Sequence, residues 1–141
     1  MKRVVIDTNV LLSGLRSRQG ASFAVIELVA ERTIRPLVTT ALFLEYEAVV
    51  KRIEHRRATG LSVEVVDQVL RELAALSEGV HVYFMWRPQL PDPHDEMVLE
   101  AAVNGRAEAL ITHNVKDFHP ASNLFGLRVL TPAAFLKEIL R

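Results

Sequence analysis

The sequence predicts an α/β fold in which a central, mostly parallel five-stranded sheet is flanked by helices. Three observations carry that expectation. Short runs rich in β-branched and apolar residues recur at Val4–Ile6, Leu37–Thr39, Val80–Met85, Ala109–Thr112 and Leu127–Leu130. The stretches between them space their apolar residues as helices do, and strands alternating with helices in this way build βαβ units. The first run, Val4-Val5-Ile6, is apolar without interruption up to Asp7. That is the pattern of a strand covered on both faces in a parallel sheet.

The chain has 141 residues (15.8 kDa), half of them hydrophobic. This suits a single domain, residues 1–141, with a sizeable core. Seventeen basic and seventeen acidic residues cancel, so only a local patch could attract nucleic acid electrostatically. With no Cys, disulfides, thiolate zinc sites and Cys nucleophiles are excluded. The apolar run after Lys2-Arg3 is too short for a secretion signal, and nothing approaches the ~20 apolar residues of a membrane span. A cytoplasmic protein with no membrane segment is expected.

Taken in order, the first strand ends at Asp7, and Leu11 to Gly20, with its Ser, Gly, Arg and Gln, reads as an exposed loop. Ser22 is placed to cap a helix through Glu31, with Phe23, Ile26, Leu28 and Val29 on its apolar side. The second strand, Leu37 to Thr39, leads to Thr40 as cap of a long helix. Its stripe is Leu42, Tyr46, Val49 and Ile53; it ends in a basic tract, Lys51, Arg52, His55, Arg56 and Arg57, stopped by Gly60. Ser62 begins a third helix, through Leu76. After the strand Val80–Met85, the segment Trp86 to Pro91 is irregular. Asp92-Pro93 then reads as an N-cap followed by Pro at the first helical position, opening a helix that stops near Gly105. A strand to Thr112 is followed by a polar loop, His113 to Phe125. The last strand is Leu127 to Leu130, and Thr131-Pro132 opens a final helix to Leu140.

In a sheet of this kind, ligands bind at the rim formed by the carboxyl ends of the strands. Asp7 follows the first strand. Glu45 lies in the opening turns of the helix after the second, Asp95 in the first turn of the helix after the third, and Asp117 in the loop after the fourth. Each has an ordinary reading too: Asp7 and Asp117 as turn residues, Glu45 as a surface residue, Asp95 as the far half of a capping box. Glu45 lies about 80° from the centre of its helix's apolar stripe and Glu47 about 120°, which favours Glu45 as a site residue. Crowded carboxylates repel and raise one another's pKa unless a cation neutralises them. An all-oxygen donor set suits Mg²⁺ or Mn²⁺, and the chemistry such a set supports is phosphodiester hydrolysis by a metal-activated water.

The segments Val5-Ile6-Asp7-Thr8-Asn9-Val10-Leu11, Leu44-Glu45-Tyr46, the Ala-rich helix headed by Asp95, and Ile111-Thr112-His113-Asn114-Val115-Lys116-Asp117-Phe118 resemble the PIN domain in order and spacing. The last segment is especially similar to VapC-like toxins of toxin–antitoxin pairs. The resemblance implies a Rossmann-like PIN fold and a metal-dependent endoribonuclease acting on RNA. It also implies a homodimer and silencing by a cognate antitoxin. The family's acidic quartet falls on Asp7, Glu45, Asp95 and Asp117, with Asn9, Thr112 and Asn114 as supporting polar residues. Asn114 stands where many relatives carry a further acid, which favours one tightly held ion. His113 stands where many carry Arg, a position for phosphate contact or for an exposed loop residue.

A receiver-type phosphoacceptor would need an acid pair after the first strand and a Lys after the fifth; neither is present. A haloacid-dehalogenase-type phosphatase would need an acid where Asn9 stands, and no glycine-rich nucleotide loop exists. The remaining alternative is a catalytically silent PIN fold serving as an RNA-binding or assembly module. Lys51, Arg52, Arg56 and Arg57 are the candidates for RNA backbone contact, or else a solvated helix end whose cations suit the C-terminal dipole. The apolar helices beginning at Ser22 and Ser62 offer surface for a second copy or for an antitoxin helix.

Overall fold

The computed structural model describes residues 1–83 and 90–140. Among these, five parallel strands form one sheet: β1 (Lys2–Ile6), β2 (Ile34–Val38), β3 (Glu78–Gly79), β4 (Ala109–Ile111) and β5 (Val129–Leu130). Their order across the sheet is β3-β2-β1-β4-β5. The direction of winding therefore reverses between β1 and β4, where Ile6 pairs with Ile111. That reversal opens a crevice at the carboxyl ends of these two strands.

The helices are α1 (Thr8–Arg16), α2 (Ala21–Ala30), α3 (Thr40–Val50), α4 (Ile53–Thr59), α5 (Val63–Leu76), α6 (Pro93–Gly105), α7 (His119–Phe125) and α8 (Pro132–Ile139). Strand alternation splits the core in two. Val5, Leu37 and Leu110 face a cluster built with Leu42 and Tyr46 of α3, Val66 and Leu70 of α5 and Leu99 of α6. Val4, Ile6 and Ile111 face the other, with Val25 and Val29 of α2 and Phe135 of α8. No helix among the described residues is long and apolar enough to cross a membrane.

Several local expectations change. The stretch expected as a loop from Leu11 is mostly helix α1, which buries Val10, Leu11 and Gly14. Gly14 is not a breaker here. A Cβ on it would meet Ile26 Cδ1 at 2.3 Å and the Ser22 carbonyl oxygen at 3.1 Å, so it lets α1 and α2 pack closely. Ser22 does not cap α2: it lies inside the helix, and Gly20 takes the cap position. Thr39 rather than Thr40 caps α3, accepting from the Leu42 amide at 3.0 Å.

The long helix expected through Gly60 is two. Arg52 leaves helical geometry (φ −58°, ψ 139°), and its carbonyl accepts from the amides of His55 and Arg56 to begin α4. The third strand is earlier and shorter than expected, because pairing with β2 ends once the Val80 amide has reached the Val38 carbonyl. Phe84 to Gln89 lie outside the described residues. Finally, the polar loop after β4 contains a 3-10 turn, Val115–Phe118, and helix α7, anchored by buried Phe118 and Ala121.

Candidate active site

Asp7 sits at the end of β1, where its amide donates to the Ile111 carbonyl at 2.9 Å and ties it to β4. Its side chain is buried, and Thr112 Oγ1, fully buried on the β4 side, donates to Asp7 Oδ2 at 2.7 Å. Thr112 Oγ1 in turn accepts from the Asn114 amide at 3.0 Å. A single hydroxyl thus holds the first carboxylate and shapes the turn after β4. Burial pushes the Asp7 pKa up. The Thr112 hydroxyl, the amides of Asn9 and Thr8, and the His113 charge oppose that rise. Tyr46 closes the cleft from below: its hydroxyl donates to the Ile6 carbonyl, and burial together with the Asp7 charge keeps the phenol protonated.

The opening of α6 supplies the second carboxylate. Asp92 caps the helix, accepting from the His94 amide at 2.9 Å, with Pro93 in the first turn. This turns Asp95 inward, to 9% exposure. Its pKa rises from 3.8 to about 6, first through burial and then through the charges of Asp7, Asp92 and Asp117, with His94 opposing. Three carboxylates therefore act electrostatically on Asp95: Asp7 and Asp117 from other segments, and Asp92 from the cap of its own helix. Asp92, read from sequence as a cap, does both jobs.

Glu45 reaches the cluster from α3 through an intermediary, lying 3.3 Å from His94 Nδ1. Asp117 stands exposed in the 3-10 turn. Asn9 Oδ1 lies 3.4 Å from the His113 amide, and the His113 ring is hydrogen-bonded to buried Ser22 Oγ at 2.8 Å. That bond fastens the loop after β4 onto α2. Sequence reasoning missed it, as it missed the His94–Glu45 contact, because both link residues far apart in the chain.

The basic candidates stand differently. Lys51 Nζ is held by Asp67 at 2.6 Å and Glu47 at 3.1 Å, and Arg56 Nε donates to the Lys51 carbonyl at 3.1 Å. Arg52, at the cap of α4, and Arg57, on that helix, are exposed.

Among the described residues, no three His, Asp or Glu side chains are drawn together tightly enough to clasp a metal ion as they stand. The donors nevertheless fit a hard divalent cation by their chemistry. They are carboxylate oxygens, and two of them, Asp7 and Asp95, have pKa values raised by burial, with neighbouring carboxylates adding to the rise at Asp95, a strain that a cation would relieve.

The described residues thus form a doubly wound parallel sheet with acids along the rim of its switch point, the place where α/β sheets of this topology bind their ligands. Residues 3–116 match the sequence model of the PIN domain, and the chain belongs to that family. The match ends one residue before Asp117. In structure the chain is similar to one from the crystal structure of VapBC2 from Rickettsia felis bound to a DNA fragment from their promoter. The TM-score is 0.63 at 15% identity, over 90% of this chain and 96% of that one. At that identity the likeness is one of fold. No curated protein sequence matches.

Proposed function

We propose that this protein is a metal-dependent endoribonuclease, the toxin component of a toxin–antitoxin pair. The observation that carries the reading is the pair of buried carboxylates at the carboxyl rim, Asp7 at the end of β1 and Asp95 in the first turn of α6, with the charge of Asp7 adding to the raised pKa of Asp95. Carboxylates set along the ligand-binding rim, two of them buried, have an electrostatic reason to hold a cation. PIN-family membership and the fold shared with a VapBC2 chain support the same reading.

In it, Asp7, Asp95, Asp117 and Glu45 would hold Mg²⁺ or Mn²⁺. The bound ion lowers the pKa of water and neutralises charge on the phosphate. Thr112 favours the ionised form of Asp7 and orients it, Asn9 and Asn114 set the turn beside it, and His94 stands against Glu45. Water adds to phosphorus and the P–O3′ bond breaks, leaving 5′-phosphate and 3′-hydroxyl ends. Lys51, Arg52, Arg56, Arg57 and His113 are the proposed contacts to the RNA backbone.

The test is incubation of the purified protein with a mixed RNA pool in Mg²⁺, Mn²⁺ or EDTA. Cleavage with metal, lost in Asp7→Asn, supports the reading; no cleavage under any condition would favour a catalytically silent RNA-binding module. We further propose a homodimer in a cytoplasmic setting, with a cognate antitoxin as partner. Light scattering at micromolar concentration that returned a clean monomer would overturn the dimer.

A further inference from the structure

Several arginines stand at the rim of the sheet opposite the one that carries Asp7. Because the strands are parallel, their amino-terminal ends lie together, on the side away from Asp7. Lys2, Arg3, Arg35 and Arg128 stand at or beside strand starts there, and Arg32 and Arg106 follow the ends of α2 and α6. Against these six cations stand four acids, Glu31, Glu78, Glu108 and Glu138.

Pairing uses up only some of them. Arg3 is bound to Glu78 at 2.6 Å and Arg128 to Glu138, while Arg35 reaches Glu78 only at 4.0 Å. Arg32 and Arg106 have no ion-pair partner among the described residues. Both are held in the left-handed region, at φ 62° and 52°, where glycine is the favoured residue. Local backbone preference therefore does not explain an arginine at either position.

Beside Arg106 lies a cleft of about 250 Å³ bordered by Arg3, Glu78, His81, Tyr83 and Asn104. The His81 and Tyr83 rings lie 6.1 Å apart, tilted by 56°. Tyr83 is 77% exposed, yet its backbone is anchored, its amide donating to Asn104 Oδ1 at 2.9 Å. An exposed ring beside a guanidinium with no ion-pair partner among the described residues is a combination suited to single-stranded nucleic acid. Bases stack on the ring and cations meet the phosphates.

We propose that this amino-terminal rim, with Tyr83 and His81 as stacking surface and Arg106 and Arg32 as phosphate contacts, is a second contact surface for single-stranded RNA. Asp95 lies in the first turn of α6 and Arg106 just past its end. The surface therefore stands roughly 20 Å from the carboxylate cleft, the length of that helix. A long strand reaches both, a short one only the cleft. The choice of RNA rests on the nuclease reading above, but binding is measured without cleavage, so the two can fail separately.

The experiment is fluorescence anisotropy in EDTA with labelled single-stranded RNA of about 20 and about 4 nucleotides. Tyr83→Ala and Arg106→Gly are each expected to weaken binding of the longer RNA at least about 5-fold. Arg106→Gly should also lower the salt slope by about one. Glycine suits the backbone at 106, so that variant should melt no lower than wild type, and neither change should alter cleavage of the short RNA. Wild-type affinity for the long RNA in both variants would overturn the proposal. So would equal affinity for duplex RNA, or displacement by polyglutamate that ignores Tyr83→Ala, since charge alone would then explain binding. RNA binding that depends on Tyr83 and Arg106 without cleavage in any metal would sink the nuclease reading and leave this surface standing.

Discussion

Replacing Asp95 with Asn should stabilise the metal-free protein, against the usual outcome for a buried polar residue. Its carboxyl titrates at about 6 instead of 3.8, so the fold disfavours the charged form by up to about 3 kcal/mol at neutral pH. Water screens the exposed Asp92 and Asp117 that contribute to this, leaving roughly half. Asn also forfeits a negative charge in the first turn of α6, about 0.5 kcal/mol. The net gain is about 1 kcal/mol, or roughly 4 °C in Tm. The sign follows from the raised pKa: the folded state holds the proton more tightly than the unfolded chain. The penalty is therefore absent below the ordinary carboxylate range, grows as pH rises from about 4 to about 6, and is complete above that. Thermal melts in EDTA at pH 7.5 and pH 4.5 should show the gain at the first and a much smaller one at the second. Added Mn²⁺ should raise the wild-type Tm and leave the variant nearly unmoved. A variant that melts below wild type at pH 7.5, or gains equally at both pH values, would refute the clustering of charge around Asp95.

Two further substitutions test the scaffold. Thr112→Val keeps the shape but removes the donor to Asp7 Oδ2; urea denaturation at pH 7 should show a loss of about 1–3 kcal/mol. The same change should move the acid limb of the cleavage profile to higher pH, because the hydroxyl opposes the rise in the Asp7 pKa. Gly14→Ala drives a Cβ against Ile26 and the Ser22 carbonyl, and should cost about 1–3 kcal/mol by the same assay; a neutral result would mean that α1 and α2 can separate freely.

Much of this architecture was legible because helix starts are local chemistry. Ser62 accepts from the Val65 amide, Asp92 from His94 and Thr131 from Ala134, each a cap readable within a few residues. What escaped depends on distant partners. Gly14 looks like a loop residue until α2 is seen packed against it, and Ser22 looks like a cap until His113 arrives from the other end of the chain. The sequence predicts a strand over Val80 to Met85, but Val82 and Tyr83 stay 40% and 77% exposed, and Phe84 and Met85 lie outside the described residues. For the site, the acids could be assigned to one rim because a parallel sheet puts every strand's carboxyl end there. Which acids act on which could not: that Asp92 loads Asp95, and that His94 stands beside Glu45, follows from side-chain positions.

The central claim, that these carboxylates serve a metal-assisted attack of water on RNA, is tested most directly by the chemistry of the product ends. RNA cleaved by the wild-type protein in Mn²⁺ and in EDTA should be mapped for 5′-phosphate and for 2′,3′-cyclic phosphate. The expected result is 5′-phosphates formed only with metal, and none from Asp95→Asn. Cyclic phosphates formed in EDTA would contradict it, since the ribose 2′-hydroxyl, activated by acid–base groups, would then be the nucleophile.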